Sequence, residues 1–213
     1  MKNSYILIGA GGNAKVVREI LLNEGKEIKG YFDDEKKRFY NLKYLGNISD
    51  ILSMTDDFLS QHYFIITIGD NLQRKSIKQI LSKRKISYGR AVDPKAIISS
   101  TAEIGNGSVI MANAIINADS RIGEFCIINT GVIIEHDCKV NNFVHVSPGV
   151  KIAGNVIVDE DTHIGIGATI IQGINIGYGA TVGAGSVVIR DVPNKSIVYG
   201  VPAQVKERRS NID

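Results

Sequence analysis

The stretch that decides the fold reads RIGEFCIINTGVIIEHDCKVNNFVHV over residues 121–146, and every sixth residue from Ile122 onward is Ile or Val. The same period runs without an insertion from Ile98 to Val188, and all sixteen positions of the series hold Ile or Val. An unbroken period of six indicates a repeat protein in which each unit is one short strand and a corner. Three units would close a triangular coil, so the series predicts about five stacked coils.

The residues beside each inward position follow a second pattern. The position two before it is mostly small, and it includes both cysteines, Cys126 and Cys138. We interpret these thiols as packed side chains rather than as a nucleophile, a metal ligand or a disulfide. The position directly after it is often Gly or Asn, as at Gly105 and Asn117, and we expect this residue to form the turn.

The region before the repeat alternates between strands and helices. The sequence predicts buried strands at 4–10, 28–32 and 63–68, an amphipathic helix with Val16, Val17, Ile20 and Leu21 on its apolar stripe, and a second helix at 71–84. This order predicts a small, mostly parallel α/β domain over residues 1–90. A β-helix over 91–190 and a closing segment over 191–213 follow it.

A glycine-rich loop, Gly9-Ala-Gly-Gly-Asn-Ala14, follows the first strand and precedes the first helix. Glycines let the backbone approach a ligand closely, and a helix N-terminus favours anions. Asp33 lies where a dinucleotide fold places its ribose-binding acid, but the loop lacks the full fingerprint. The loop either binds a mononucleotide-sized ligand or is a structural tight turn, and the domain is too short for a complete dinucleotide fold.

Composition excludes several classes of function. The chain has 25 basic and 22 acidic residues for a net charge of +3, so no strong field for nucleic acid exists. The apolar run from Tyr5 to Ala10 is too short for a signal peptide or a membrane span. We therefore expect a cytoplasmic protein without a nucleic-acid or membrane partner.

Two pairs of positions should stack from coil to coil because each is separated by 18 residues: His136 with Gly154, and His145 with His163. Glu135 and Asp137 flank the first histidine. Amine acylation needs an imidazole to accept a proton, a carboxylate to orient the ring and an N–H group to bind the oxyanion. The other interpretation is that these are surface histidines without a catalytic role.

Metal binding is a further possibility at the stacked pair of His145 and His163, which could supply two ligands. His136 lies half a coil away, so a third ligand would have to come from elsewhere. The sequence therefore predicts no metal.

Several segments resemble bacterial nucleotide-sugar N-acetyltransferases of the PglD and NeuD type, which act on viosamine, perosamine and bacillosamine precursors. The resemblance covers nearly the whole chain and is carried by the segments 9–14, 31–34, 66–71, 129–138, 143–147, 153–155 and 200–203. It implies a left-handed parallel β-helix after a small Rossmann-like domain. It also implies acetyl-CoA as co-substrate and a homotrimer with active sites between neighbouring β-helices.

The resemblance also implies roles for individual residues. His136 would be the general base, with Asp137 or Glu135 as its carboxylate partner. Acetyl-CoA would be bound by His145, Gly154, Ile166 and Ala184, and the nucleotide sugar by Gly11, Gly12, Asn13, Asp33, Asp34, Gly69 and Asp70. Family members often have His-Gly where this chain has Asn13-Ala14, so the sugar contact at this loop should differ.

The implied reaction is acetylation of the 4-amino group of a dTDP- or UDP-linked 4-amino-4,6-dideoxy sugar. Its product would serve the synthesis of a surface polysaccharide, such as the O-antigen of lipopolysaccharide, or of another glycan. Two alternatives stay open. One is O-acetylation of a sialic-acid-type sugar with the same base, and the other is a non-catalytic, nucleotide-binding β-helix scaffold.

Overall fold

The computed structural model describes residues 4–208, so the outer ends of the first and third predicted segments, at 1–3 and 209–213, lie outside the described residues. The N-terminal part contains a four-stranded parallel sheet with the strand order β3-β2-β1-β4. Its strands are β1 (Ser4–Ile8), β2 (Glu27–Phe32), β3 (Lys43–Gly46) and β4 (His62–Ile66). Its helices are α1 (Gly12–Asn23), a 3-10 helix (Ile48–Ser53), α2 (Asp56–Gln61) and α3 (Asn71–Leu81).

The predicted parallel sheet is confirmed, and each of the three predicted strands forms. The sequence did not reveal β3, the 3-10 helix or α2. In the case of β3, the strand has no fully buried residue and lacks an apolar run. One detail of the first helix is wrong, since Val16 is 41% exposed. Ala14 lies on the buried stripe in its place, together with Val17, Ile20 and Leu21.

Residues 91–188 form seventeen two-residue strands in three parallel sheets. Sheet 1 contains β5 (Ala91–Val92), β8 (Val109–Ile110), β11 (Ile127–Ile128), β14 (His145–Val146), β17 (His163–Ile164) and β20 (Thr181–Val182). Sheet 2 contains β6 (Ile97–Ile98), β9 (Ile115–Ile116), β12 (Ile133–Ile134), β15 (Lys151–Ile152), β18 (Thr169–Ile170) and β21 (Val187–Val188). Sheet 3 contains β7 (Glu103–Ile104), β10 (Arg121–Ile122), β13 (Lys139–Val140), β16 (Ile157–Val158) and β19 (Asn175–Ile176).

The chain visits the sheets in the order 1, 2, 3, so we name the three corners the 1/2, 2/3 and 3/1 edges. The Ile and Val residues of the series point inward and form one continuous apolar core. The inward series begins one unit before Ile98, because Val92 pairs with Ile110 in sheet 1, and this unit lies within the predicted range of 91–190. After Val188 the period breaks, since Val198 rather than residue 200 pairs with Val182.

A C-terminal hairpin closes the end of sheet 1. Its strands β22 (Ser196–Gly200) and β23 (Ala203–Arg208) are antiparallel, and β22 continues the sheet beside β20. An added strand of this kind covers the last coil, as the terminal units of repeat proteins generally must.

The corners turn at a different residue from the one expected. The left-handed residue lies three positions after the inward one, as at Asp119 (φ 60°) and Asn155 (φ 58°), rather than directly after it. Glycine directly after the inward residue serves close packing instead. A Cβ atom on Gly105 would lie 2.5 Å from the carbonyl carbon of Gly123 in the next coil. Only glycine permits that approach.

The N-terminal domain packs against sheet 1 and the 3/1 edge. Phe125 and Phe143 lie at this edge in adjacent coils, their rings stacked 5.1 Å apart, and both join the apolar core formed by β1, β4 and α3. Both have positive φ angles, 55° and 58°, which bulky residues rarely adopt. The packed junction therefore holds two strained corners, and it brings the loop after β4 against sheet 1.

Candidate active site

His136 lies on the 2/3 edge between β12 and β13, and its side chain is 63% exposed. Its ring rests on Gly154 in the next coil. A Cβ atom built on Gly154 would lie 2.7 Å from Cε1 and 2.8 Å from Nε2 of His136. The predicted stacking of these two residues is confirmed, and any side chain at position 154 would push the imidazole away.

Asp137 is the carboxylate that contacts His136, with Oδ2 at 2.8 Å from Nδ1. Glu135 faces elsewhere, because its Oε2 accepts a hydrogen bond of 2.9 Å from Nδ2 of Asn117. A carboxylate can only accept, so Nδ1 of His136 carries the proton and donates to Asp137. In the neutral form of this ring, Nε2 carries the lone pair that can accept a proton.

The two cysteines are packed, as predicted. Cys126 and Cys138 are buried, and their thiols donate to the carbonyl oxygens of Asn141 and Ala153 at 3.0 and 3.1 Å. Burial raises the pKa of Cys126 to about 12 and also raises the pKa of Cys138. Because the thiolate is the reactive form, neither thiol is suited to nucleophilic catalysis.

His145 and His163 form a second stacked pair, on sheet 1, with ring centroids 4.9 Å apart and planes 3° from parallel. His145 Nδ1 is 3.2 Å from the Gly69 carbonyl oxygen of the N-terminal domain. Burial, with smaller contributions from His163 and Arg74, lowers the pKa of His145 to about 4 against the opposing hydrogen bond to Gly69. His145 is therefore neutral at physiological pH.

A cleft of about 600 Å³ lies beside this pair, between sheet 1 and the N-terminus of α3. Gly69 and Asp70 bound it on one side, and His145, His163 and Thr181 bound it on the other. Within residues 4–208 no group of three His, Cys, Asp or Glu side chains is arranged to hold a metal ion.

The glycines of the N-terminal loops fall into two kinds. Gly9 is structural, because its φ is 103° and a Cβ atom would lie 2.5 Å from Cδ1 of Ile68. A Cβ atom on Gly11, Gly12 or Gly69 would meet nothing within 4 Å. Packing does not explain these three glycines, and the open space beside them suits a ligand that approaches the backbone.

Asn13 follows Gly11 and Gly12 in the first turn of α1. Its Nδ2 atom is buried, and no hydrogen-bond partner for it lies within residues 4–208. A buried amide donor without a partner is costly, so a ligand acceptor at this position would satisfy it.

The three predicted nucleotide-binding aspartates all accept backbone N–H groups. Asp33 Oδ2 accepts from the second residue of the glycine-rich loop at 2.6 Å, and so holds that loop. Asp34 accepts from Ile48 at 3.0 Å, and Asp70 caps α3 by accepting from Gln73 at 2.8 Å. Sequence reasoning did not anticipate these structural roles, and ligand contact at the aspartates stays a prediction.

The predicted site residues are brought together as two groups. Glu135, His136, Asp137 and Gly154 share the 2/3 edge. His145 lies on sheet 1 facing the N-terminal loops, and Ile166 and Ala184 lie exposed in adjacent coils of the neighbouring 1/2 edge. Among the described residues no hydrogen bond or ion pair joins His136 to the N-terminal domain.

Sequence reasoning missed two residues that shape the second group. Arg74 on α3 is 1% exposed and donates to carbonyl oxygens of both domains. Asn129, one coil before His145, places its Nδ2 at 3.4 Å from Nε2 of His145. The only sequence signal for Arg74 was its position on the apolar side of the predicted helix, which does not reveal what the side chain contacts.

The fold and the His–Asp pair over a glycine define the class of hexapeptide-repeat, left-handed β-helix acyltransferases. The PglD N-terminal domain family matches residues 5–81. A histidine-to-alanine variant of GDP-perosamine N-acetyltransferase from Caulobacter crescentus, solved with CoA and GDP-perosamine, is 33% identical over 96% of this chain and 97% of its own, with a TM-score of 0.88. The acetyltransferase domain of PglB from Neisseria gonorrhoeae FA1090, solved with acetyl coenzyme A, is 32% identical over 97% of this chain and 100% of its own, with a TM-score of 0.90.

Two curated proteins are similar over part of their length. UDP-N-acetylbacillosamine N-acetyltransferase of Bacillus subtilis (strain 168) is 40% identical over 111 residues, which are 49% of this chain and 49% of the relative. Protein L142 of Acanthamoeba polyphaga mimivirus is 40% identical over 101 residues, 46% of this chain and 19% of the relative. The chain thus spans half or less of these curated relatives. It belongs to the PglD-type family of left-handed β-helix N-acetyltransferases.

Proposed function

We propose that this protein transfers the acetyl group of acetyl-CoA to the 4-amino group of a nucleotide-linked 4-amino-4,6-dideoxy sugar. The observation that carries the proposal is the His136 imidazole, oriented by Asp137 and resting on Gly154 with Nε2 free. Related proteins support it, since the Caulobacter enzyme was solved with CoA and GDP-perosamine. A dTDP or UDP carrier is the expected nucleotide.

In the proposed reaction the sugar amine attacks the thioester carbonyl carbon, and its proton passes to Nε2 of His136. The imidazolium that forms is stabilised by the Asp137 carboxylate. The tetrahedral oxyanion would be held by the backbone N–H of Gly154. Collapse of the intermediate breaks the carbon–sulfur bond, and the CoA sulfur takes the proton that His136 returns, so that CoA leaves as the thiol.

The substrates would lie along the second group of residues. His145, Ile166 and Ala184 would contact acetyl-CoA, and Ile166 offers a side chain that is 57% exposed. Gly11, Gly12 and Asn13 would contact the nucleotide sugar, together with the loop that follows β4. The open space around Gly11 and Gly12 and the unpartnered Asn13 amide support this arrangement.

A homotrimer would bring the two groups of residues together. Within one chain, His136 lies on the 2/3 edge, while the N-terminal domain covers sheet 1 and the 3/1 edge. The site is therefore incomplete in one protomer, and a neighbour's 2/3 edge beside the cleft would complete it. A cyclic arrangement of three copies repeats this contact without leaving an open end.

We place the reaction in the cytoplasm, which supplies acetyl-CoA. None of the helices within residues 4–208 is long and apolar enough to cross a membrane.

A panel of dTDP-, UDP- and GDP-linked 4-amino sugars, assayed for thiol release from acetyl-CoA, tests the proposal. We expect turnover with at least one sugar, and turnover lower by about 10²–10⁴-fold when His136 is replaced by Asn. The product should survive mild alkali, because amides resist conditions that cleave esters. Alkali-labile product would indicate O-acetylation, and failure to bind acetyl-CoA would indicate a scaffold.

A further inference from the structure

Arg74 is a charged side chain placed entirely inside the protein, at the junction of the two domains. Its Nε donates to the Phe125 carbonyl oxygen at 2.8 Å and its Nη2 to that of Phe143 at 3.1 Å, both in the β-helix. Its Nη1 donates to the carbonyl oxygens of Ile68 and Gly69 at 3.0 and 3.1 Å. A buried guanidinium needs such acceptors, and here they belong to both domains.

The Gly69 carbonyl oxygen accepts from two side chains at once. Arg74 donates to it from the N-terminal domain, and His145 Nδ1 lies 3.2 Å from it on the β-helix. A carbonyl oxygen can only accept, so the proton of the neutral His145 ring must lie on Nδ1.

The other nitrogen of His145 faces Asn129, whose amide orientation is fixed independently. Oδ1 of Asn129 accepts the backbone N–H of Thr130 at 2.8 Å, so Nδ2 is the atom turned toward His145. This Nδ2 lies 3.4 Å from Nε2 of His145. An amide nitrogen can only donate, so Nε2 carries a lone pair. The contacts at Nδ1 and at Nε2 therefore indicate the same tautomer, with the proton on Nδ1.

We propose that Arg74 is a positioning residue that, through the Gly69 carbonyl, holds His145 as the neutral Nδ1–H tautomer. The Nε2 lone pair of His145, which faces Asn129 Nδ2 at 3.4 Å, then accepts from an N–H or O–H group of the bound ligand in place of Asn129, and the ring does not donate to a ligand carbonyl oxygen. The amide N–H groups of the pantetheine arm of acetyl-CoA are donors of this class.

The charges around His145 agree with a neutral ring. Burial is the largest cause of the lowered pKa, and His163 and Arg74 lower it further. The same cleft also presents Asp70, Asp161, Tyr178 and Lys195. Lys75 Nζ forms an ion pair of 2.6 Å with Asp161 Oδ2, and the Asp70 carboxylate caps the N-terminus of α3.

Nitrogen-15 NMR of protein labelled at its four histidines tests the tautomer directly. The wild-type spectrum should show a protonated Nδ1 and a pyridine-like Nε2 for His145 at neutral pH, assigned by the signal lost in His145→Gln. A wild-type ring protonated at Nε2 would overturn the proposal without any variant.

Arg74→Lys and Arg74→Met test the positioning role. Lysine keeps the charge but cannot bridge both domains as the planar guanidinium does. We expect a second His145 tautomer in both variants and, in Arg74→Met, a pKa of His145 that rises toward its ordinary value. The His136 signals should stay unchanged as the internal control. Should neither variant fold, Asn71→Ala replaces them, because it removes the side-chain acceptor that lies 2.9 Å from Nη2.

An unchanged His145 tautomer and pKa in a folded variant would reduce Arg74 to a purely structural role. The kinetic readout rests on the proposed acetyl transfer, and there the KM for acetyl-CoA should rise about tenfold with a smaller change in kcat. The NMR result does not depend on turnover. If the NMR spectra show the expected tautomer but the enzyme shows no turnover, the proposed function is refuted and the role of Arg74 is not.

Discussion

The 2/3 edge and sheet 1 carry histidines built by the same repeat, yet the two regions differ in almost every chemical respect. His136 and Gly154 are separated by 18 residues, as are His145 and His163. His136 is 63% exposed and donates to a carboxylate. His145 is half-buried at the junction with the N-terminal domain and faces a backbone carbonyl and an amide.

The repeat therefore fixes where each imidazole lies, while the groups around it, Asp137 beside His136 and the Gly69 carbonyl beside His145, fix its proton chemistry. A carboxylate beside an exposed imidazole stabilises the imidazolium that forms when the ring accepts a proton, which suits a general base. Burial beside a cation favours the neutral form, which suits a ligand contact. These differences support the proposal that His136 transfers the proton and His145 binds the ligand.

Loss of His136 should have the largest effect. In His136→Asn we expect kcat/KM to fall about 10²–10⁴-fold, the usual contribution of a general base. The midpoint of thermal unfolding should hardly change, because the side chain is exposed. Steady-state kinetics and a melting curve check both statements. Near wild-type turnover would remove His136 from the mechanism.

Gly154→Ala should come next, because its Cβ atom cannot coexist with the present ring position. Displacement of the base by about 1 Å is enough to cost about 10²-fold in rate. The double variant His136→Asn/Gly154→Ala is the control. If the Gly154→Ala change acts through the ring, the double variant should be no slower than His136→Asn alone. Additive losses would point to a separate role for the amide.

The carboxylates offer a matched pair of smaller changes. Asp137→Asn keeps the size of the side chain and tolerates the φ of 59° at this corner, but it removes the charge that stabilises the imidazolium. We expect kcat to fall about tenfold or more. Glu135→Gln is the control, since its contact is Asn117, and it should retain near wild-type kcat. The reverse ranking would make Glu135 the partner of His136.

The pH dependence of stability should distinguish the buried histidine from the exposed one. The pKa of His145 is lowered to about 4 from its ordinary value of 6.5, so the unfolded chain binds the proton more tightly than the folded one. The free energy of unfolding should therefore fall as the pH drops from about 6.5 toward 4. Chemical denaturation at several pH values measures it.

His145→Gln is the control for this last change, because it removes the titrating ring. The decline of stability over that pH range should become shallower in the variant. An equal slope in wild type and variant would mean that His145 does not carry the lowered pKa.

The sequence predicts the β-helix well because each position in the unit has one physical requirement. An inward residue must be apolar and β-branched, and a spacing of 18 must stack, which correctly paired His136 with Gly154. The turn position was wrong because glycine was read as a turn residue, whereas at Gly105 it permits close approach of the next coil.

The features that the sequence did not predict all depend on contacts between the domains or within loops. Arg74 looks like any helical arginine until the carbonyls of Phe125 and Phe143 surround it. Asp33 fits the position of a ribose-binding acid, yet its carboxylate also holds the glycine-rich loop. Such roles arise from the packing of distant segments, which a periodic pattern does not report.

In the proposed oligomer, neighbouring protomers contribute the base and the ligand groups of each site, and mixing two impaired variants tests this arrangement most directly. His136→Asn and His145→Gln would be co-expressed with different affinity tags, and the doubly tagged oligomers would be assayed for thiol release. We expect the mixed oligomers to recover activity well above that of either variant alone, because some interfaces join two intact halves. Mixed oligomers as inactive as their parents would contradict it and place both histidines of a working site in one chain.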